Sequence, residues 1–176
     1  MRHPLLFLAF LITAHLSAQY LVDNAAPKPA DEFYRAGEKA QRSGDHRTAV
    51  VLYGQVLELE AEHINALLQR GFCHSMLKEY EMAITDLTAA IALKPENAWA
   101  YTSRGSAFAK LGQHDKAIAD FDRVIQLDPK NEEAYNNRGW SRKALGDTDG
   151  ACADWRTSQR MGNAEARIIL KNNHCK

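Results

Sequence analysis

The chain has 176 residues, 45% hydrophobic and 25% charged, with 22 basic residues matched by 22 acidic ones. That is an ordinary composition for one globular domain, and a formal net charge of zero leaves no basic surplus to drive binding to nucleic acid or an anionic membrane. Three cysteines, Cys73, Cys152 and Cys175, are too few for a disulfide framework and too scattered for a zinc site, so neither a metal nor another cofactor is expected.

The chain begins with a short basic stretch, Met1-Arg2-His3. Leu5 to Leu16 follows, apolar apart from Thr13 and His15, and then the small residues Ser17-Ala18. This is the pattern of a secretory signal peptide over residues 1–18, cut before Gln19, and it is too short for a membrane span. The alternative is a retained membrane anchor. No cysteine follows the apolar run, so a lipid anchor on an N-terminal cysteine is excluded. Cleavage would remove only Arg2 among the charged residues. The mature protein is expected to be exported, periplasmic or secreted, near neutral and without a stable membrane span. Residues 19–29 contain Pro27 and Pro29 and no clear period, which reads as a tether.

From residue 30 the chain repeats itself every 34 residues without gaps, over 30–63, 64–97, 98–131 and 132–165. One glycine recurs as Gly37, Gly71, Gly105 and Gly139, and one alanine as Ala49, Ala83, Ala117 and Ala151. Self-similarity at this period means an array of helix pairs, hence an all-α solenoid. In the first unit Phe33, Ala36, Gly37 and Ala40 form the inward face of one helix. Gly44-Asp45 makes the turn, with Asp45 placed to cap, and Ala49, Tyr53, Val56 and Leu57 give the second helix its stripe. The second unit carries Leu67, Tyr80, Leu87 and Ala90, but Lys78 stands where the turn glycine belongs. The third is the clearest copy, with Tyr101, Phe108, Gly112, Phe121 and Val124. The fourth keeps Tyr135, Gly146 and Trp155, then departs at Met161-Gly162-Asn163, where the third unit has Leu127-Asp128-Pro129. The last stretch sets Ala166, Ile169 and Leu170 on one side and Arg167, Lys171 and Asn172 on the other, so residues 166–176 read as a closing helix. Asn97 and Asn131 precede helices as caps, and Glu132 and Glu133 favour a first turn.

The pattern of Gly105, Phe108, Gly112, Ala117, Phe121 and Pro129, shared with substitutions by all four units, resembles the tetratricopeptide repeat family. The resemblance covers residues 30–165, and residues 164–176 look like the family's closing helix. It implies a right-handed superhelix of antiparallel helix pairs. The concave side, lined by the first helix of each unit, holds a peptide or another protein in such folds, and no enzymatic activity is implied. Groove positions in this family would fall on Tyr34, Asn65, Phe72, Trp99, Asn136 and Trp140, among others. The aromatics there are either binding anchors or packing against neighbouring repeats. The family's clamp for a C-terminal carboxylate needs Lys and Asn where this chain has Tyr34 and Glu38, so that specificity is not expected.

One departure from the family has its own logic. A large apolar residue before the glycine is replaced by Arg70, Arg104 and Arg138, each followed 16 residues later by Asp86, Asp120 and Asp154. The first unit has Ala36 and Leu52 at those places. Charges that come and go together point to structural ion pairs between the two helices of each unit; the alternative is two separate solvated positions. In the family's packing the start of the last full helix meets the end of the closing helix. Cys152 and Cys175 are therefore expected as a disulfide if the chain is exported, and as free thiols otherwise. Cys73 reads as a small core residue. His46 and His114 share a repeat position with Tyr80, which marks a packing or turn role. The leading functional reading is a non-catalytic interaction module in an exported compartment, binding a protein or peptide. The alternative is a self-associating structural subunit of an envelope or secretion assembly.

Overall fold

The computed structural model describes residues 29–175. The expected signal peptide, nearly all of the tether and Lys176 lie outside the described residues. The described residues form helices and turns, with no strand among them: α1 (Pro29–Arg42), α2 (His46–Leu59), α3 (Ile64–Met76), α4 (Tyr80–Leu93), α5 (Ala98–Lys110), α6 (His114–Leu127), α7 (Glu132–Ala144), α8 (Thr148–Arg160) and α9 (Ala164–Asn172). None of them is long and apolar enough to cross a membrane. Pro29 is not tether but the first helical residue of α1, where a missing N–H costs nothing.

The helices form four hairpins, α1–α2, α3–α4, α5–α6 and α7–α8. Each second helix also packs on the first helix of the next unit, and α9 packs on α8. The result is an all-α solenoid of four helix pairs and a closing helix. Side-chain capping starts the first helices of the second, third and fourth units at the same phase. The backbone N–H of Ala100 donates to Asn97 Oδ1 at 3.1 Å, and that of Ala134 to Asn131 Oδ1 at 2.8 Å. His63 takes the same role in the second unit, its Nδ1 accepting from Ala66 N–H at 3.1 Å.

Hairpin closeness is set by the recurrent glycine. A Cβ built on Gly37 would lie 2.8 Å from the Tyr53 ring, on Gly71 3.0 Å from Leu87, on Gly105 3.0 Å from Phe121, and on Gly139 2.6 Å from Trp155. These partners hold one repeat position and are fully buried. Core packing at near-crystalline density leaves them no room to retreat. Ala36, expected inward, is instead exposed. Its repeat position faces the preceding unit, as Arg104 shows by reaching Thr88 at 3.0 Å, and no described unit precedes the first.

The intra-unit turns share one geometry. Gly44, Gly112 and Gly146 have φ of 82°, 72° and 86°, and Lys78 is forced to 63° at the same place. Gly162 repeats this turn, with its N–H donating to Gln159 O at 3.1 Å as Gly112 N–H does to Ala109 O at 3.0 Å. The departure at Met161-Gly162-Asn163 is thus an intra-unit turn used in place of a longer exit. Asn163 caps the last helix, which begins at Ala164.

Arginine forks tie the hairpins. Arg70 donates to Asp86 at 2.8 and 2.7 Å, Arg104 to Asp120 at 2.9 and 2.7 Å, and Arg138 to Asp154 at 2.9 and 2.6 Å. The third guanidinium nitrogen reaches back one unit, from Arg104 to Thr88 and from Arg138 to Asp122 at 2.5 Å. Arg70 meets only Gly54 there. Hydrogen bonding to Asp86 and Asp120 raises the pKa of Arg70 and Arg104 against the opposing effect of burial. At Arg138 burial is the largest single effect and lowers the pKa, yet the hydrogen bonds and charges of Asp154 and Asp122 together still raise it. Asp154 accepts a second arginine, Arg142, at 2.9 Å. In the second unit His74 holds Arg142's place, with Nδ1 2.7 Å from Glu79 and Nε2 3.9 Å from Asp86.

Cys152, in the first turn and a half of α8, is bonded to Cys175, three residues beyond the end of α9, with Cα atoms 5.5 Å apart. The bridge closes a loop across a helix that otherwise packs chiefly on α8.

Three outcomes follow from this packing. Lys78→Gly removes a left-handed conformation from a side chain that resists it and is expected to stabilise by about 0.5–1 kcal/mol in urea unfolding. Arg104 and Asp120, 17% and 7% exposed in their side chains, are expected to show a coupling of about 1.5–3 kcal/mol in a double-mutant cycle; additive single effects would sink the pairing. Reduction of Cys152–Cys175 is expected to remove roughly 3 kcal/mol, seen as a lower melting temperature and faster amide exchange in α9. Two free thiols in the mass spectrum of unreduced protein would remove the staple.

Candidate binding groove

Curvature decides which face can hold a ligand. The first helices of successive units approach one another directly, α3 to α5 and α5 to α7, whereas the second helices have no approach of the same extent. The first helices therefore line the inner side of the bend. Hollows open along that side at the seams between units, each built from the end of one first helix and the middle of the next.

Three seams are equivalent by repeat position and unequal in content. At the first, Gln41 Nε2 donates to Gln69 Oε1 at 2.9 Å, and Tyr53 Oη donates to Gln41 Oε1 at 2.7 Å. Those bonds leave a hollow of about 80 Å³ between Glu38, Gln41, Arg42 and Gln69. The second seam opens to about 330 Å³, lined by Phe72, Met76, Tyr80, Trp99, Thr102, Ser106, Lys110 and Glu133 among others. The third, about 260 Å³, is lined by Ser106, Ala109, Lys110, His114, Phe121, Asn137, Trp140 and Ser141. No carboxylate replaces glutamine to close the last two, and their walls are largely aromatic and small.

The six expected groove residues divide evenly. Phe72, Trp99 and Trp140 line the open hollows. The Phe72 and Trp99 rings lie 6.4 Å apart across the seam. Trp140 packs edge-on against buried Trp155 at 5.0 Å, with Lys143 5.8 Å from its ring centre. Packing and exposure coexist, since Trp99 remains 43% and Trp140 45% exposed. The other three residues lie elsewhere. Tyr34 stacks between Tyr53 at 5.5 Å and His63 at 5.1 Å, and burial followed by the Glu38 charge raises its hydroxyl pKa. Asn65 sits exposed in the first turn of α3, outside the hollow linings. Asn136 turns inward: its Oδ1 is buried, and its backbone carbonyl accepts from Trp155 Nε1 at 3.3 Å. The arginine–aspartate pairs lie outside the hollow linings as well.

Residues at the seam edge were not singled out by the family's groove positions. Met76 and Lys110 hold one repeat position, Tyr80 and His114 another, and both positions belong to the seam because they end a first helix or begin a second. The shared position of His46, Tyr80 and His114 carried that signal. His114 Nδ1 is buried with no hydrogen-bond partner among the described residues. Cys73 is fully buried, and desolvation pushes its thiol up to about 11, which suits a packing role rather than a nucleophile. No group of three or more His, Cys, Asp or Glu among the described residues is placed to hold a metal ion.

Three repeat models match the middle of the chain: a tetratricopeptide repeat over residues 98–131, a TPR repeat over 76–112 and a further tetratricopeptide repeat over 121–153. No curated protein matches the sequence. Among solved structures, a crystal structure of MamA superposes with a TM-score of 0.75 at 24% identity, covering 85% of this chain and 86% of that one. MamA from Desulfovibrio magneticus RS-1 gives 0.73 at 25% identity over 75% of each chain. The first TPR of Spaghetti (RPAP3), bound to the HSP90 peptide SRMEEVD, gives 0.64 at 27% identity, covering 66% of this chain and 93% of that one. With the matched repeats at its centre and the same helix pairing on either side, the chain is a tetratricopeptide-repeat protein.

Proposed function

We propose that this protein is an exported interaction module that holds a peptide or protein segment in its inner groove and performs no catalysis. The observation that carries the reading is the pair of open seams flanked by half-exposed Trp99 and Trp140. Large aromatic surface left in water on a concave face is the common anchor of a protein contact. A peptide complex of the RPAP3 repeat domain, similar in fold, supports peptide binding as a use of such a surface. The Cys152–Cys175 bridge and the apolar start of the chain support an oxidising, exported setting.

A second reading, self-association as a structural subunit, draws on one observation. Ile168 on α9 is 60% exposed, and Met161, just after α8, is also exposed. Light-scattering mass rising with concentration, and indifferent to Trp140→Ala, would favour that reading.

Affinity capture from the exported fraction, repeated with Trp140→Ala, tests the main one. Loss of an interface tryptophan is expected to cost about 2 kcal/mol or more and so to strip the groove partners from the variant. Unchanged capture would move the contact to the outer face or the tether, and recovery of the chain only from the cytosol would remove the export.

A further inference from the structure

We infer that α9 is a redox-latched helix. It stays docked on α8 while Cys152 and Cys175 are joined, and a dithiol that reduces the bridge releases and unwinds it while the four helix pairs stay folded.

The docking of α9 copies that of the first helices, but only in part. The third residue of α3, α5, α7 and α9 is Ala66, Ala100, Ala134 and Ala166, each with no exposed surface. Each donates its N–H to the capping side chain three residues earlier, on His63, Asn97, Asn131 and Asn163. So α9 sits on α8 as the first helix of a further unit would. The other three helices then bury a second small side chain on the same face, Cys73, Ala107 or Ser141. In α9 the helix ends at Asn172, short of that point, and Ala166 alone is buried.

The face that α9 meets is also poorer. Val50 and Leu57 of α2 pack on the cluster that holds Ala66 and Cys73, and Ile84 and Ile91 of α4 belong with Ala100 and Ala107. The same two repeat positions are Ile118 and Ile125 in α6, but Cys152 and Gln159 in α8. One aliphatic contact has become an amide, and the other a covalent bond that can be broken. A helix as short as α9 does not hold itself in water, so undocking and unwinding are one event. His174, beside Cys175, is held at φ 54°, a left-handed strain that release relaxes.

The exchange begins at Cys175, which is half-buried beyond the end of α9, whereas Cys152 is 6% exposed. One thiolate of the dithiol attacks Cys175 Sγ. The bond between the two cysteine sulfurs breaks, and its electron pair leaves on Cys152 Sγ, which takes up a proton. The second thiolate of the reductant then displaces Cys175, which is protonated in turn. The reductant departs as its own disulfide, having given two electrons and two protons.

Dithiothreitol treatment of the disulfide-intact chain, followed by iodoacetamide, peptide mass mapping and hydrogen exchange, tests the latch. Cys73 is a built-in control, because it is fully buried away from α9. Reduction is expected to make Cys152 and Cys175 alkylatable and to abolish amide protection in α9, with Cys73 unmodified and protection in α1–α7 unchanged. Cys152→Ser should release α9 without reductant. Cys152→Ile combined with Gln159→Ile, which restores the aliphatic pair of the other seams, should keep α9 protected with no bridge at all. Several results would overturn the latch: α9 still protected once the bridge is reduced or in Cys152→Ser, Cys73 alkylated together with Cys152, or a bridge that resists the dithiol in the folded chain. The double isoleucine variant losing α9 protection as fully as Cys152→Ser would overturn the part assigned to the seam.

Discussion

The bare α-carbon of the repeated glycine is the constraint from which the rest of the array follows. At Gly139 even one methyl group would meet Trp155 at 2.6 Å, and Trp155 is sealed in the core. The same contact recurs with Tyr53, Leu87 and Phe121, three side chains of different shape held at one distance from a backbone. Because the glycine fixes how near two helices come, the partner can vary in chemistry without changing the hairpin. A fixed hairpin is what allows the units to stack with a constant seam, and a constant seam is what makes an inner face.

The arginine forks solve a different problem. The glycine contact brings helices together but does not lock their rotation, whereas a planar guanidinium held by both carboxylate oxygens has one geometry. The third nitrogen then reaches into the preceding unit, finding Thr88 or Asp122 where Arg70 finds only Gly54. The arginine contribution to coupling between units therefore grows along the chain, from none at Arg70 to a hydroxyl at Arg104 and a carboxylate at Arg138. Removal of one partner would leave a half-buried charge, so the network acts more as a lock on register than as a source of net stability.

Periodicity made the architecture legible: the glycines, the alanines, the strained Lys78 and the Arg–Asp spacing all stand out when the units are aligned by eye. Asp86, Asp120 and Asp154 could be paired with arginines because three copies agreed. Arg142 could not, since only the fourth unit has an arginine there and the second offers His74 instead. Tyr34 lies away from the open hollows for a related reason. A groove position carries its usual meaning only where a ligand-facing seam exists, and the first seam is filled by Gln41 and Gln69. Asn136 has its side-chain Oδ1 buried, and its backbone carbonyl accepts from the Trp155 indole, a bond that needs the tryptophan found at this position in the fourth unit alone.

Function in such an array lies in what differs between units, since whatever is shared is needed for stacking. The three seams make this concrete. They occupy the same place in the bend, yet one is closed by a glutamine pair and two are left open with aromatic walls and a lysine between them. Filling each of those two would take a hydrogen-bonded amide pair like that of Gln41 and Gln69. Leaving them open keeps apolar surface in water, which opposes folding unless something else covers it. An occupant with matching apolar side chains would relieve that exposure at both hollows at once, and nothing the repeats hold in common would supply its specificity.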